Sequence, residues 1–72
     1  MASVYKIIEL VGVSKKSWED AAKNAVEVTG KNLKDLRIAE VIKLDMQIGK
    51  GKVVAYRARI AVSFKYKQKN NL

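Results

Sequence analysis

The sequence predicts an α+β subunit of order β-α-β-β: a three-stranded sheet in the strand order 1-3-2, partly wrapping one helix. Three observations carry this. Val53 to Lys67 (VVAYRARIAVSFKYK) alternates apolar and polar residues with the strand period of two. Trp18, Ala22, Ala25, Val26 and Thr29 recur at helical spacing. Gly49-Lys50-Gly51 separates two alternating runs and reads as a hairpin turn.

In chain order, Ser3 to Val11 (SVYKIIELV) is the first strand, with Val4, Lys6, Ile8 and Leu10 on one face and Tyr5, Ile7, Glu9 and Val11 on the other. Both faces carry apolar residues, which a half-solvated strand does not need. Gly12 ends the run and Val13 to Lys16 reads as a loop. Ser17 is a favoured N-cap with Asp20 three residues on, and Glu19 and Asp20 suit the positive end of a helix dipole. Gly30 is the expected stop. Leu36 to Ile48 is the second strand, with Ile38, Glu40, Ile42, Leu44, Met46 and Ile48 expected on one side and Arg37, Ala39, Val41, Lys43, Asp45 and Gln47 on the other.

In the third strand Val54, Tyr56, Ala58, Ile60, Val62, Phe64 and Tyr66 share a face opposite Arg57, Arg59, Lys65 and Lys67. At about 3.3 Å per residue this strand runs roughly 50 Å. Residues 68–72 read as a frayed polar tail. A helical crossover makes strands one and two parallel, the hairpin makes two and three antiparallel, and strand three falls in the middle.

The chain of 72 residues is expected to form a single domain over 1–72. Cysteine and histidine are both absent, which removes disulfides and the usual structural zinc site. With 49% hydrophobic residues and no such staple, stability is expected to come from self-association. The part of the long strands that one short helix leaves bare is the expected interface between copies. No stretch reads as a membrane span or signal-peptide core, so a soluble cytoplasmic protein is expected.

Fifteen Lys and Arg against seven Asp and Glu give a formal charge of +8, which attracts anions. Single-strand nucleic-acid platforms need aromatics and cations on one surface. Here the aromatics of strand three lie opposite its cations, which argues against specific nucleic-acid binding. Nothing resembles a catalytic constellation: there is no His or Cys, no serine lies at a motif spacing from a base, and no phosphate-binding glycine motif occurs. A non-enzymatic protein is expected. Arg57 and Arg59, two positions apart on one face, are candidates for binding a small anion such as a cofactor phosphate, or for pairing with Glu40, Asp45 or Glu9.

Val4-Tyr5-Lys6-Ile7-Ile8-Glu9-Leu10-Val11-Gly12, then Ser14, Ser17-Trp18-Glu19-Asp20-Ala21, Arg37-Ile38-Ala39-Glu40-Val41 and Tyr56 to Phe64 (YRARIAVSF) together resemble the dodecins, over about Val4 to Lys67. The resemblance implies a β-α-β-β subunit assembling into a hollow homododecamer. It implies binding of flavins (riboflavin, lumichrome, FMN), in some members of coenzyme A, and a role in cofactor storage. Flavin-binding members place a stacking tryptophan where this chain has Ile38 and a hydrogen-bonding glutamine where it has Arg57. By that resemblance these two are the cofactor-binding positions, both substituted: isoleucine has no π-face, and arginine only donates. Ser17-Trp18-Glu19, Ile38-Ala39, Asp45-Met46 and Val62-Ser63-Phe64-Lys65 resemble more closely a branch called calcium dodecins. Calcium takes six to eight oxygens, so a site here would gather them from several copies. Asp45 and Glu40 are the candidate contributors, with pairing of Asp45 to Arg57 or Arg59 as the alternative.

Overall fold

The computed structural model describes residues 3–66. The elements are β1 (Tyr5–Ser14), α1 (Trp18–Asn32), β2 (Leu36–Gly49) and β3 (Lys52–Lys65). The sheet order is β1-β3-β2, and both neighbours run antiparallel to β3. This is the expected β-α-β-β subunit. Lys67 at the end of the expected third strand, and the expected fraying of 68–72, lie outside the described residues.

The helix begins as its sequence dictates. The Ser17 side chain accepts from the Asp20 amide at 3.0 Å, and Glu19 and Asp20 occupy the first turn. It does not stop at Gly30. It runs on to Asn32, where the Leu33 amide reaches the Thr29 carbonyl at 2.9 Å. Glycine weakens a helix without ending it when the flanking backbone bonds are made.

Nor does Gly12 end β1, which continues to Ser14. Gly12 faces Ala58 across the ladder and lies under the helix. A Cβ built on it would fall on the Ala21 carbonyl oxygen, with the Ala25 methyl 3.0 Å away. The glycine is where the sheet lets the helix close down, and Ala21 is wholly buried there. At the hairpin, Lys50 and Gly51 both have positive φ (53° and 75°), as a two-residue turn between twisted strands requires.

The second strand corrects one expectation. Its pairing with β3 shifts between Leu36 and Ile38, between Val41 and Lys43, and between Gln47 and Ile48. The extra residue Ile42 turns the alternation over. Ala39 and Val41 therefore join Leu44 and Met46 on the helix side, across from Val62, Ile60, Ala58 and Tyr56. Ile38 and Glu40 join Lys43, Asp45 and Gln47 on the opposite, open face. The apparent carboxylate in an apolar row does not exist.

The core is Ala21, Ala58, Ile60 and Val62, with Ile8, Leu10, Ala22, Ala25, Val26 and Leu36 packed around it. Helix α1 rests on β1 and β3 and barely reaches β2. Among the described residues five hydrophobic residues are buried, against fifteen large hydrophobics left exposed, Ile7, Ile38 and Ile48 by about two thirds. The subunit measures 57 × 20 × 15 Å with a radius of gyration of 15.2 Å, against about 11 Å for a compact chain of this length.

Replacing Gly12 by alanine should lower stability by about 2–3 kcal/mol, the upper range for overpacking. A fall in the urea or thermal midpoint of Gly12→Ala checks this, with Gly30→Ala, whose added methyl meets nothing closer than 3.6 Å, expected near wild type or slightly above it.

Candidate functional site

Among the described residues, charged groups of opposite sign meet at the middle of the open face. Asp45 of β2 stands directly opposite Arg57 of β3. Arg57 Nε donates to Asp45 Oδ1 at 2.7 Å and Nη2 donates to Oδ2 at 2.9 Å, a bidentate fork. Both side chains stay about two-fifths exposed. The hydrogen bonds from Arg57 hold the Asp45 carboxyl below the usual carboxylate range, against a smaller opposing push from desolvation. The same bonds raise Arg57. One ladder step along, Arg59 Nη1 lies 3.6 Å from Glu9 Oε1, reaching across to β1. Both arginines singled out from the sequence thus have a carboxylate beside them.

Asp45 is gripped from both sides of the sheet. Its backbone carbonyl accepts from Trp18 Nε1 at 2.9 Å. The indole meets Tyr56 edge-on, with ring centroids 5.2 Å apart at 71°. Sequence reasoning placed Trp18 in the buried stripe and missed this bridge. The signal was there in part: a half-buried indole N–H needs an acceptor, but nothing in the sequence names Asp45 as the one.

Ile38 shares the open face, two thirds exposed. It stands opposite Ser63, whose hydroxyl reaches the Ile38 carbonyl at 3.4 Å. Ser63 and Arg57 are six positions apart on β3, roughly 20 Å at the strand rise. The fold therefore puts Ile38 and Arg57 on one face without bringing them together inside one protomer. Glu40 lies on the same face, opposite Ala61, between Ile38 and the Asp45–Arg57 pair. Among the described residues no three carboxylates, histidines or cysteines gather into a metal-holding group.

On the helix side, the gap between α1 and β2 leaves an open apolar hollow of about 410 Å³, lined by Trp18, Glu19, Ala22, Val41 and Leu44. Val41 and Leu44 both reach it because of the bulge at Ile42. The Ser14 hydroxyl donates to Asp20 Oδ2 at 2.7 Å and accepts from the Lys16 and Ser17 amides, at 2.9 and 3.4 Å. That serine–aspartate contact ties the loop before the helix and holds Asp20, too, below its ordinary range. Among the described residues no helix is long and apolar enough to cross a membrane.

A long 1-3-2 sheet with one helix laid over part of it is the subunit fold of a known class of small proteins. A dodecin of Streptomyces coelicolor superposes with a TM-score of 0.87 at 27% identity, over 93% of this chain and 96% of that one. A mutant dodecin of Thermus thermophilus gives 0.87 at 32% identity, over 94% and 100%. The dodecin family model matches residues 4–67, and the chain belongs to the dodecin family. It is 43% identical to the calcium dodecin of Mycobacterium tuberculosis over 63 residues, 88% of this chain and 89% of that protein. The crystal structure of that relative, described as calcium chelating with a novel calcium-binding site, superposes at a TM-score of 0.81 with 42% identity, covering 97% and 100%.

The depressed carboxyls set a pH dependence. A group whose folded pKa lies below its unfolded value stabilises the fold above the unfolded value, about 3.9 for aspartate, and loses that contribution as pH falls through the folded one. Stability should therefore decline as pH drops from about 5 towards 2. Asp45→Asn should flatten that slope, and Asp20→Asn/Asp45→Asn should flatten it further. Denaturant unfolding repeated at stepped pH checks this.

Proposed function

We propose that this chain is the single-domain subunit of a non-catalytic, small-ligand-binding homo-oligomer of the dodecin type, with its ligand held between copies and a role in cofactor storage. The observation that carries this reading is the large apolar surface left bare on an elongated sheet: among the described residues fifteen large hydrophobics are exposed, most of them on the strands, against five buried hydrophobics. Burying such a surface against other copies is worth roughly 25 cal/mol per Å². The hollow homododecamer of the family is the assembly we assign to it.

The ligand face we propose is the open face. Ile38 would form an apolar wall and Arg57 a polar anchor, and their separation within one protomer means a pocket using both draws them from different copies. A flavin such as riboflavin, lumichrome or FMN, the ligand class that the family resemblance implies, is the candidate for it. It would bind without the stacking energy a tryptophan adds, about 0.5–1.5 kcal/mol beyond area.

A second reading is a calcium-binding assembly, favoured by the 43% identity to a protein named calcium dodecin. Asp45 and Glu40 are its candidate donors, with the remaining oxygens supplied by carbonyls, waters and neighbouring copies. Coenzyme phosphates or other polyanions held by Arg57 and Arg59 are a weaker third reading, since both arginines already face carboxylates.

Native mass spectrometry and sedimentation at micromolar concentration should show a closed multimer, twelve copies on the family pattern; a folded monomer would end this proposal. In flavin-quenching titrations Ile38→Trp/Arg57→Gln should bind riboflavin about twofold to tenfold more tightly than wild type. Equal quenching by both proteins would refute the assignment of those two positions. If calcium is the ligand, the thermal midpoint rises with calcium and falls with chelator, and Asp45→Asn blunts the rise.

A further inference from the structure

Arg57 is a cation at the middle of the open face whose guanidinium is already engaged. Its Nε and Nη2 are spent on the two Asp45 oxygens. The Asp45 main chain is pinned by the Trp18 indole and by the ladder to β3, and its carboxylate is held by the fork itself. One residue thus links the start of the helix, through its carbonyl, to the cation of the ligand face, through its carboxylate.

We propose that Asp45 is a specificity-determining residue: its fork with Arg57 leaves the open face to ligands that offer neutral acceptors and turns away those that offer a phosphate or carboxylate. This rests on the ligand-binding reading of that face given above. An anion approaching Arg57 finds only the donors the fork leaves free, on Nη1 and the second hydrogen of Nη2. It also meets the Asp45 charge a few ångströms off. A carbonyl oxygen or ring nitrogen meets the same donors without that repulsion.

The neighbouring groups do not undo the effect. Arg59 has Glu9 beside it at 3.6 Å. Lys43, opposite Arg59, and Glu40, opposite Ala61, add one charge of each sign to the same face.

Riboflavin and FMN separate the two kinds of ligand, since they share a ring system and differ by a phosphate. Wild type should bind riboflavin as tightly as FMN or more tightly. Asp45→Asn should raise the FMN-to-riboflavin affinity ratio about tenfold, the scale of one charge-assisted hydrogen bond. The gain should shrink with added salt and vanish in Asp45→Asn/Arg57→Gln. Asp45→Ser provides the same comparison if the asparagine variant does not assemble as wild type does.

A ratio unchanged in the Asp45 variants, or a gain that survives Arg57→Gln, overturns the inference while leaving the ligand-binding reading in place. If neither flavin binds any of the proteins, flavin binding fails by itself, and pyrophosphate titration read by the fluorescence of Trp18 decides the inference. A response in Asp45→Asn that wild type lacks supports it; equal responses, or none, overturn it.

Discussion

A mismatch of lengths governs this subunit. Strands β2 and β3 have 14 residues each and reach roughly 45 Å, whereas the 15-residue helix spans only about 22 Å at its shorter rise. A single helix cannot shield ribbons twice its length. The core closes around Ile60 and Val62 where helix and sheet overlap, and the sheet beyond is left with apolar residues on both faces. Everything proposed about ligands and assembly descends from that uncovered area.

Where the helix sits is decided by the smallest residues in the chain. Gly12 and Ala58 pair across β1 and β3, and Ala21 descends onto them. Bulkier side chains there would lift the helix and dissolve the core. Seated over β1 and β3, the helix barely reaches β2, and Trp18 bridges the gap. Its indole spans to the Asp45 carbonyl and to Tyr56, so the packing that makes the hollow also fixes the residue that faces Arg57. The stability of the core and the geometry of the open face are two ends of one arrangement.

Much of this could be read before any coordinates. The strand order, the Ser17 cap and the faces of β3 follow from period, capping chemistry and connection length. Glycine misled twice. At Gly12 it marks a close approach, set by a helix packed on top of it, rather than a strand end; at Gly30 it is a weak point that the local backbone bond from Leu33 to Thr29 carries the helix past. The faces of β2 were not legible, because extra residues at Arg37 and Ile42 break a period that the letters seem to continue. The site suffers similarly. Pairing of Asp45 with a cross-strand arginine was one of two readings. Counting from the hairpin would set Asp45 opposite Tyr56, and only the irregularity beside Ile48 moves it to Arg57.

The distribution of charge then suits the proposal that a strongly basic chain packs against copies of itself. The middle of the open face carries Lys43, Arg57 and Arg59 beside Glu9, Glu40 and Asp45, three of each sign. The formal excess of +8 therefore arises elsewhere in the sequence, in the loops, towards the strand ends and in the last residues of the chain, since the helix carries Glu19, Asp20 and Glu27 against Lys23 and Lys31. Like charges brought together in low dielectric repel strongly, whereas those facing water are screened within about 10 Å at moderate salt. A face balanced residue by residue can meet its copies, or a neutral ligand, without that repulsion. The surplus cations can meanwhile keep the outside of an assembly hydrated and apart from its neighbours. In the proposed assembly, neutralising Arg57 through Asp45 would thus be as much a condition for packing sheets together as a filter on what binds between them.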